Sequence, residues 1–294
     1  MVAVGAFDGI HLGHQAIMAQ TVAQARAHGL RATALIFEPL PREYFNPESA
    51  PPRIQPLREK VESLFECGID RVVCLRFNAA LSALAPEAFV KTVLVQKLKV
   101  REIIVGEDFR FGSNRAGGQV LMAELARVHD FRITHPTTVE VAGARVSSTR
   151  IRALLQAADF KQVATLMGRP FSISGRVCPG KQLGRQIGVP TANIALRRRR
   201  SPVNGTFIVK VHVEGSVVNG VANVGVRPTV NRIPKPQLEA HLFNFNDNLY
   251  GKRIKVEFCQ KLRDEQKFDS VEQLKLQIQR DIEQAQQFFS STIF

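Results

Sequence analysis

The sequence predicts two folded regions in series: an α/β unit built on a parallel sheet, then a small antiparallel β-barrel closed by a C-terminal helix. Three observations carry this. Short apolar runs alternate with helix-length segments up to about residue 168, and strand-like runs then follow one another with no helix between them. The length, 294 residues, exceeds the ~250 that one core ordinarily holds.

In the first region Val2 to Val4, Arg31 to Phe37, Arg71 to Phe77, Glu102 to Val105 and Phe131 to Thr134 read as strands rich in Val, Ile, Leu and Phe. Between them Gln15 to His28, Leu57 to Cys67 and Pro86 to Leu98 read as helices. Gly29 and Gly68 suit C-terminal caps, and Pro86 suits a first helical position. Such alternation implies a parallel sheet covered by helices, with ligands at the carboxyl ends of the strands. Ser147 or Ser148 suits the cap of a helix reaching Ala157, and Asp159 the start of another that stops at Gly168.

Gly168-Arg169-Pro170 marks the change of rhythm, so domains 1–168 and 169–294 are expected. Beyond it Phe171 to Val177, Thr206 to Val213, Val217 to Val224, Leu238 to Phe245 and Arg253 to Gln260 read as strands, with Glu214-Gly215-Ser216 as a hairpin turn. Ser270 and Gln273 form a capping box for the last helix. Along it Val271, Leu274, Ile278 and Ile282 recur at helical spacing, a packing face.

Composition narrows the functional classes. With 45% hydrophobic and 22% charged residues the chain is not generally disordered. Its apolar runs fall far short of the ~20 residues a spanning helix needs. The first strand begins almost at Met1, which leaves no signal peptide, and a cytoplasmic protein without a membrane partner is expected. Cys67, Cys74, Cys178 and Cys259 form no C-x-x-C pair, so reduced thiols are expected rather than a disulfide framework or zinc knuckle. An excess of 40 Lys+Arg over 26 Asp+Glu, +14 in all, suits polyanions: nucleic acid or small phosphorylated ligands.

Directly after the first strand comes Gly5-Ala6-Phe7-Asp8-Gly9-Ile10-His11-Leu12-Gly13-His14. Its glycines let the backbone turn tightly and approach a ligand, and the helix that follows offers unpaired N–H groups to a phosphate. His11 and His14 in the first helical turn can both face that phosphate and stabilise charge on a leaving pyrophosphate. A bare His-x-x-His pair is also half of a metal site, but no third ligand stands at a convincing spacing. The pattern is not G-x-G-x-x-G, which disfavours a dinucleotide site.

Gly5 to His14 resembles the G-x-F-D-G-x-H-x-G-H signature of the nucleotidyltransferase module in bacterial bifunctional riboflavin kinase/FAD synthetases. Phe37-Glu38-Pro39-Leu40-Pro41, Gly106-Glu107-Asp108-Phe109-Arg110-Phe111-Gly112 and Ser147-Ser148-Thr149-Arg150-Ile151-Arg152 match further, in order. The resemblance implies a Rossmann-like domain in which the FMN phosphate attacks the α-phosphorus of ATP, giving FAD and pyrophosphate. It implies ATP and phosphate binding by Gly5, Phe7, Asp8, His11, Gly13, His14, Ser148, Thr149 and Arg152, with His11 and His14 catalytic, and a flavin side at Asp108, Phe109 and Phe111. As bare residues Ser-Ser-Thr also reads as a helix cap, and the two phenylalanines as core. Ala6 stands where the family carries Asn.

In the second region Gly175 to Lys181 fits G-x-x-x-x-G-K, the start of a P-loop, but Gln182 stands where Ser or Thr would bind Mg²⁺. The glycines and proline that follow cannot sustain the required helix, so the P-loop is rejected. The same stretch resembles the riboflavin kinase motif G-x-x-x-G-R-x-x-G-x-P-T-A-N at Gly180, Gly184, Arg185, Gly188, Pro190, Thr191, Ala192 and Asn193. Asn219 to Thr229 matches a further run of that family. The resemblance implies ATP binding by Gly180, Gly184, Arg185, Gly188, Thr191 and Asn193, and Mg²⁺ held by Thr191 and Asn193, whose oxygens are of the hard type Mg²⁺ accepts. It implies that Glu239 is the base that takes the riboflavin 5′-hydroxyl proton. Taken alone, Pro-Thr-Ala-Asn is also a turn and Glu239 an outward strand carboxylate. Substrates are thus ATP, riboflavin and FMN, with Mg²⁺. No specific nucleic-acid partner is expected, because no aromatic residues interleave with Arg197 to Arg200.

Overall fold

A computed structural model of the chain describes residues 1–106, 108–180, 184, 188–196, 198–227 and 235–291. Contacts divide it into two compact units: Met1–Pro51 with Gln55–Ser147, and Pro52–Ile54 with Ser148–Phe294. The helical pair at 148–167 therefore groups with the second unit, whereas the change of sequence rhythm lies at residue 168.

In the first unit β1 (Val2–Val4), β2 (Thr33–Glu38), β3 (Arg71–Arg76), β4 (Glu102–Ile104) and β5 (Arg132–Thr134) form one sheet in the order β3-β2-β1-β4-β5. All four pairings are parallel. The central strand is buried on both faces, which explains its unbroken apolar run. Alternate residues feed separate cores: Val2, Val4 and Leu35 pack with Phe89, Leu94 and Met122, while Ala3, Ala34 and Ile36 pack with Met18, Ala25 and Leu64. The connection direction reverses at β1, so the crevice at its carboxyl end is the expected ligand position.

α1 (Leu12–Ala27) and α3 (Leu57–Glu66) end as the glycines foretold. Gly29 (φ 64°) and Gly68 (φ 86°) are left-handed, and each end closes with paired bonds, Leu30 N–H to Ala25 O at 2.8 Å and Ile69 N–H to Leu64 O at 3.3 Å among them. Two short helices, α2 (Pro41–Phe45) and α4 (Ala79–Ser82), have no periodic signal in so few residues. The expected helix from Pro86 is a single α turn, α5 (Pro86–Phe89), that widens into π turns over Val90–Lys97. α6 (Gln119–Val128) is an addition to the helices expected from the sequence: the parallel β4–β5 pair requires a crossover, and Met122 and Ala126 seat it in the core. β6 (Glu140–Val141) and β7 (Ala144–Arg145) form a hairpin after the sheet.

In the second unit α7 (Ser148–Gln156) precedes α8 (Phe160–Met167), which Asp159 caps through its Oδ1, accepting from Gln162 N–H at 3.0 Å. The strands are β8 (Ser172–Cys178), β9 (Ala192–Ala195), β10 (Gly205–Val213), β11 (Ser216–Arg227), β12 (Lys235–Leu242) and β13 (Arg253–Arg263). They close into a barrel in the order β10-β11-β12-β9-β8-β13. Glu214 (φ 48°) and Gly215 (φ 88°) make the two-residue turn between β10 and β11. β9 has no counterpart among the strands expected from the sequence. Its four residues are too few for a pattern, and pairing with β12 and β8 is what extends them. Phe160 of α8 meets Phe207 and Phe258, both at 5.7 Å, and stacks near Phe171, so the helix joins the barrel strands through a cluster of aromatic rings.

The C-terminal helix, Val271–Ser291, lays Ile278, Ile282 and Ala285 against Ile208 and Val221. Val271, placed on the packing face by its spacing, is 49% exposed and lies outside it. The capping box is half formed: Ser270 Oγ accepts from Gln273 N–H at 3.2 Å, while the Gln273 side chain accepts from Asp269 N–H rather than from Ser270.

Candidate active sites

The turn after β1 is held in a conformation that most side chains avoid. Phe7 (φ 45°) and Ile10 (φ 38°) are left-handed, costly for a bulky or β-branched residue, and both are buried, which locks them there. A Cβ on Gly5 would stand 2.8 Å from the Phe7 ring, so this glycine is required for close approach. His11 is the N-cap of α1, its Nδ1 accepting from His14 N–H at 3.3 Å. That bond leaves the proton of a neutral His11 ring on Nε2, a donor. The two imidazoles stack with centroids 3.7 Å apart and planes 19° from parallel.

Asp8, expected at the phosphates, is 2% exposed, and its Oδ1 accepts from Gln55 N–H at 3.0 Å, which ties the turn to the segment before α3. Gly5, Phe7 and Asp8 thus lie in the turn, and His11, Gly13 and His14 open the helix that follows it. Ser148 and Thr149 open α7 with Arg152 one turn on, so the three share a helix face. Arg152 Nε donates to Pro52 O at 2.8 Å.

The flavin-side group is divided by burial. Phe109 borders a cavity of about 310 Å³ with Val105, Met122, Ile133 and His135. Phe111 is 5% exposed, packs with Phe89, and lies under the Phe109 ring at 5.7 Å. It belongs to the apolar cluster that contains Phe89 and Met122, and Phe109 packs against that cluster. Asp108 is exposed, paired with Arg145 at 3.7 Å.

Two features lie outside the motifs of the sequence. Tyr44 and Phe45 make edge contacts with Phe77 at 5.3 and 5.7 Å, an aromatic group beyond the carboxyl ends of β2 and β3 with Phe45 59% exposed. Their signal was available, two aromatics just past Phe37 to Pro41. Lys60 is fully buried and donates from Nζ to Ala6 O at 2.7 Å. Its residue type gave no such signal, since lysine ordinarily marks an exposed helix face.

In the barrel, pairing register assembles the second site. Thr206, Asn223, Glu239 and Asn193 stand successively opposite one another across β10, β11, β12 and β9, so all four lie on one sheet face. Gln237 Nε2 donates to Asn193 Oδ1 at 2.6 Å, and Asn193 Nδ2 donates to Thr191 O at 3.2 Å. Gly180 leaves space for that amide, since a Cβ there would lie 2.6 Å from Asn193 Cγ. His241 Nδ1 donates to Pro190 O at 2.8 Å and so steadies the approach to Thr191.

Two cavities meet at Thr191. One, about 490 Å³, is lined by Pro190, Thr191, Asn193, Phe245, Leu249 and Tyr250. The other, about 340 Å³, is lined by Thr191, Asn223, Glu239, Arg263, Phe268 and Ile278 among others. Gly184 borders the second cavity, and Gly188 (φ 83°) adopts a left-handed turn. Arg185 lies outside the described residues, as do parts of the rejected P-loop stretch and of the 219–229 run. The donor set fits Mg²⁺: a hydroxyl and an amide oxygen, both hard ligands, beside a cavity large enough for phosphates.

Comparison with known proteins is consistent across the chain. The family model for FAD synthetase matches residues 1–150 and that for riboflavin kinase matches 167–289. A bifunctional riboflavin kinase/FMN adenylyltransferase from Pseudomonas fluorescens is 46% identical over 279 residues, 95% of this chain and 89% of that protein. The Escherichia coli K12 protein of the same name is 43% identical over 293 residues, 99% and 93% of the two chains. A crystal structure described as a macrolide-efflux protein from Streptococcus pneumoniae has a TM-score of 0.76 at 30% identity, covering 95% of this chain and 91% of that one. Among the described residues no helix is long and apolar enough to cross a membrane.

Proposed function

The chain belongs to the bifunctional riboflavin kinase/FMN adenylyltransferase family, and on that premise we propose which residues carry its two reactions. It phosphorylates riboflavin with ATP to give FMN, then transfers the adenylyl group of a second ATP to FMN, giving FAD and pyrophosphate.

In the kinase step ATP occupies the cavity lined by Asn193 and Tyr250, and riboflavin the cavity that holds Glu239. The observation that carries this is Thr191, the residue through which the two cavities meet. Glu239 accepts the 5′-hydroxyl proton, the freed oxygen attacks the γ-phosphorus, and ADP leaves. Thr191 and Asn193 would hold Mg²⁺, which neutralises phosphate charge when bound. Gly180 and Gly184 bring backbone N–H groups close to the phosphates. Arg185 carries the same role from the motif alone.

In the adenylyl step an FMN phosphate oxygen attacks the α-phosphorus of ATP and the bond to the β-phosphate breaks. His11 and His14 donate to the phosphates and stabilise charge on the departing pyrophosphate, with Gly5, Phe7, Asp8 and Gly13 shaping the turn. Ser148, Thr149 and Arg152 donate to phosphate from their shared helix face. Phe109, carried by Phe111, offers a ring to a flat heterocycle, and Asp108 flanks it. No covalent intermediate is needed, because positioning and electrostatics supply the rate. The dependence of both steps on ATP supports a cytoplasmic location, and we assign the charge of +14 to attraction of polyphosphates rather than to a nucleic-acid partner.

Incubation with riboflavin, ATP and Mg²⁺, with FMN and FAD resolved by chromatography over time, tests the scheme. FMN rising before FAD is expected. FMN without FAD would remove the residue assignments for adenylyl transfer, and neither product would remove both sets.

A further inference from the structure

Lys60 has no part in the scheme above, yet it is among the largest fully buried side chains of the molecule. A buried lysine gives up hydration of its charge and is rare unless hydrogen-bonded or paired. A leucine or methionine would fill the same volume of α3 without that cost, so a lysine there calls for a reason other than packing. The surrounding helix face repeats the anomaly: the buried residues of α3 are Glu59, Lys60, Ser63 and Leu64, three of them polar. That face lies under the turn between β1 and α1. Lys60 Nζ donates to Ala6 O at 2.7 Å. Gln55 N–H donates to Asp8 Oδ1 at 3.0 Å, and the Gln55 side chain donates to Ser63 Oγ at 3.2 Å. From the other side Gln15 Nε2 donates to Ile10 O at 2.9 Å.

These clamps grip the stretch that contains two bulky residues in the left-handed region, Phe7 and Ile10. Such strain persists only where surrounding contacts over-determine the backbone, and it orients the N–H groups of the turn before any ligand arrives. Ala6 itself is exposed, so the lysine grips a main-chain carbonyl and its contact is independent of the side chain at that position. We infer that Lys60 is a positioning residue for adenylyl transfer, fixing the Ala6 carbonyl so that the Gly5–His14 turn is preset for the ATP phosphates. The inference rests on the reading of that turn as a phosphate site.

The full chain is assayed for FAD formation from supplied FMN and, separately, for riboflavin phosphorylation, as wild type and as Lys60→Gln, Lys60→Arg and His14→Gln. Lys60→Gln is expected to lower kcat for FAD formation by about 10²-fold, the size of a roughly 1 Å misplacement, and to raise the inhibition constant of inorganic pyrophosphate. Riboflavin phosphorylation by the same chain should stay within about twofold of wild type, and Lys60→Arg, which keeps a donor, should recover most of the lost rate. A Lys60→Gln enzyme with wild-type kcat and pyrophosphate inhibition overturns the inference. So does an arginine variant that folds and is as impaired as the glutamine one. His14→Gln separates the two levels: unchanged FAD formation there removes the phosphate-site reading itself, whereas its loss beside an active Lys60→Gln removes only the role of Lys60. Where Lys60→Gln does not fold, Lys60→Met decides, since it keeps the buried volume and removes the donor to Ala6 O. A lowered kcat for FAD formation with the kinase untouched supports positioning, and an unchanged kcat overturns it.

Discussion

Asn193 and Glu239 stand directly opposite one another in the antiparallel pair of β9 and β12, one bordering each of the two cavities that meet at Thr191. The strand pairing alone brings a metal-type oxygen and a carboxylate to adjacent places on one sheet face. Glu239→Gln keeps the shape and removes the base. Riboflavin phosphorylation should fall ~10²–10⁴-fold while FAD formation from supplied FMN is unchanged, read by chromatography with each flavin offered in turn. An unchanged kinase rate would remove Glu239 as base.

The stacked imidazoles give the converse experiment. His14→Ala should lower FAD formation by roughly 10²–10³-fold, the worth of one preorganised donor, and leave FMN formation intact. Equal loss of both activities would contradict two separate sites.

Asp70 sets a pH dependence. The Arg26 guanidinium and then the Ala32 N–H hold its carboxyl at about 2, below its ordinary 3.8. Because the folded value is depressed, this contribution to stability is fully present above the ordinary value and fades as pH falls toward about 2. The melting-temperature gap between wild type and Asp70→Asn should therefore be open at neutral pH and close over that acidic window. A gap constant with pH would show the interaction to be uncharged in origin.

Phe258 is 2% exposed and touches Phe160, Phe171 and Phe207. Phe258→Ala should destabilise the barrel by ~3–5 kcal/mol, measured by denaturant unfolding with kinase activity as the reporter. A cost under about 1 kcal/mol would mean that the four rings do not form a shared core.

The positive charge should attract duplex DNA only loosely. Binding measured by fluorescence anisotropy should weaken steeply between roughly 50 and 200 mM salt and show no sequence preference. Tight binding that persists at the higher salt would reopen a nucleic-acid role for the Arg198 to Arg200 surface.

The local elements and the chemical inventory of the sites are legible in the amino-acid sequence. Gly29, Gly68, Asp159 and Ser270 mark helix ends through backbone geometry and nearby donors, and Glu214-Gly215 makes its turn for the same local reason. The parallel and antiparallel halves were legible because hydrophobic period is a property of neighbouring residues. Tertiary structure decided what depends on distant partners. Pairing with β12 and β8 made a strand of Ala192–Ala195 and set Asn193 opposite Glu239. Burial sorted Phe109 from Phe111, two residues of identical chemistry whose neighbours differ. Lys60 is the clearest case. A lysine in an amphipathic helix reads as solvent-facing, and only the packing of α3 under a turn more than fifty residues earlier in the chain puts its charge in the interior. Burial free energy belongs to the assembled surroundings, which no window of local sequence contains.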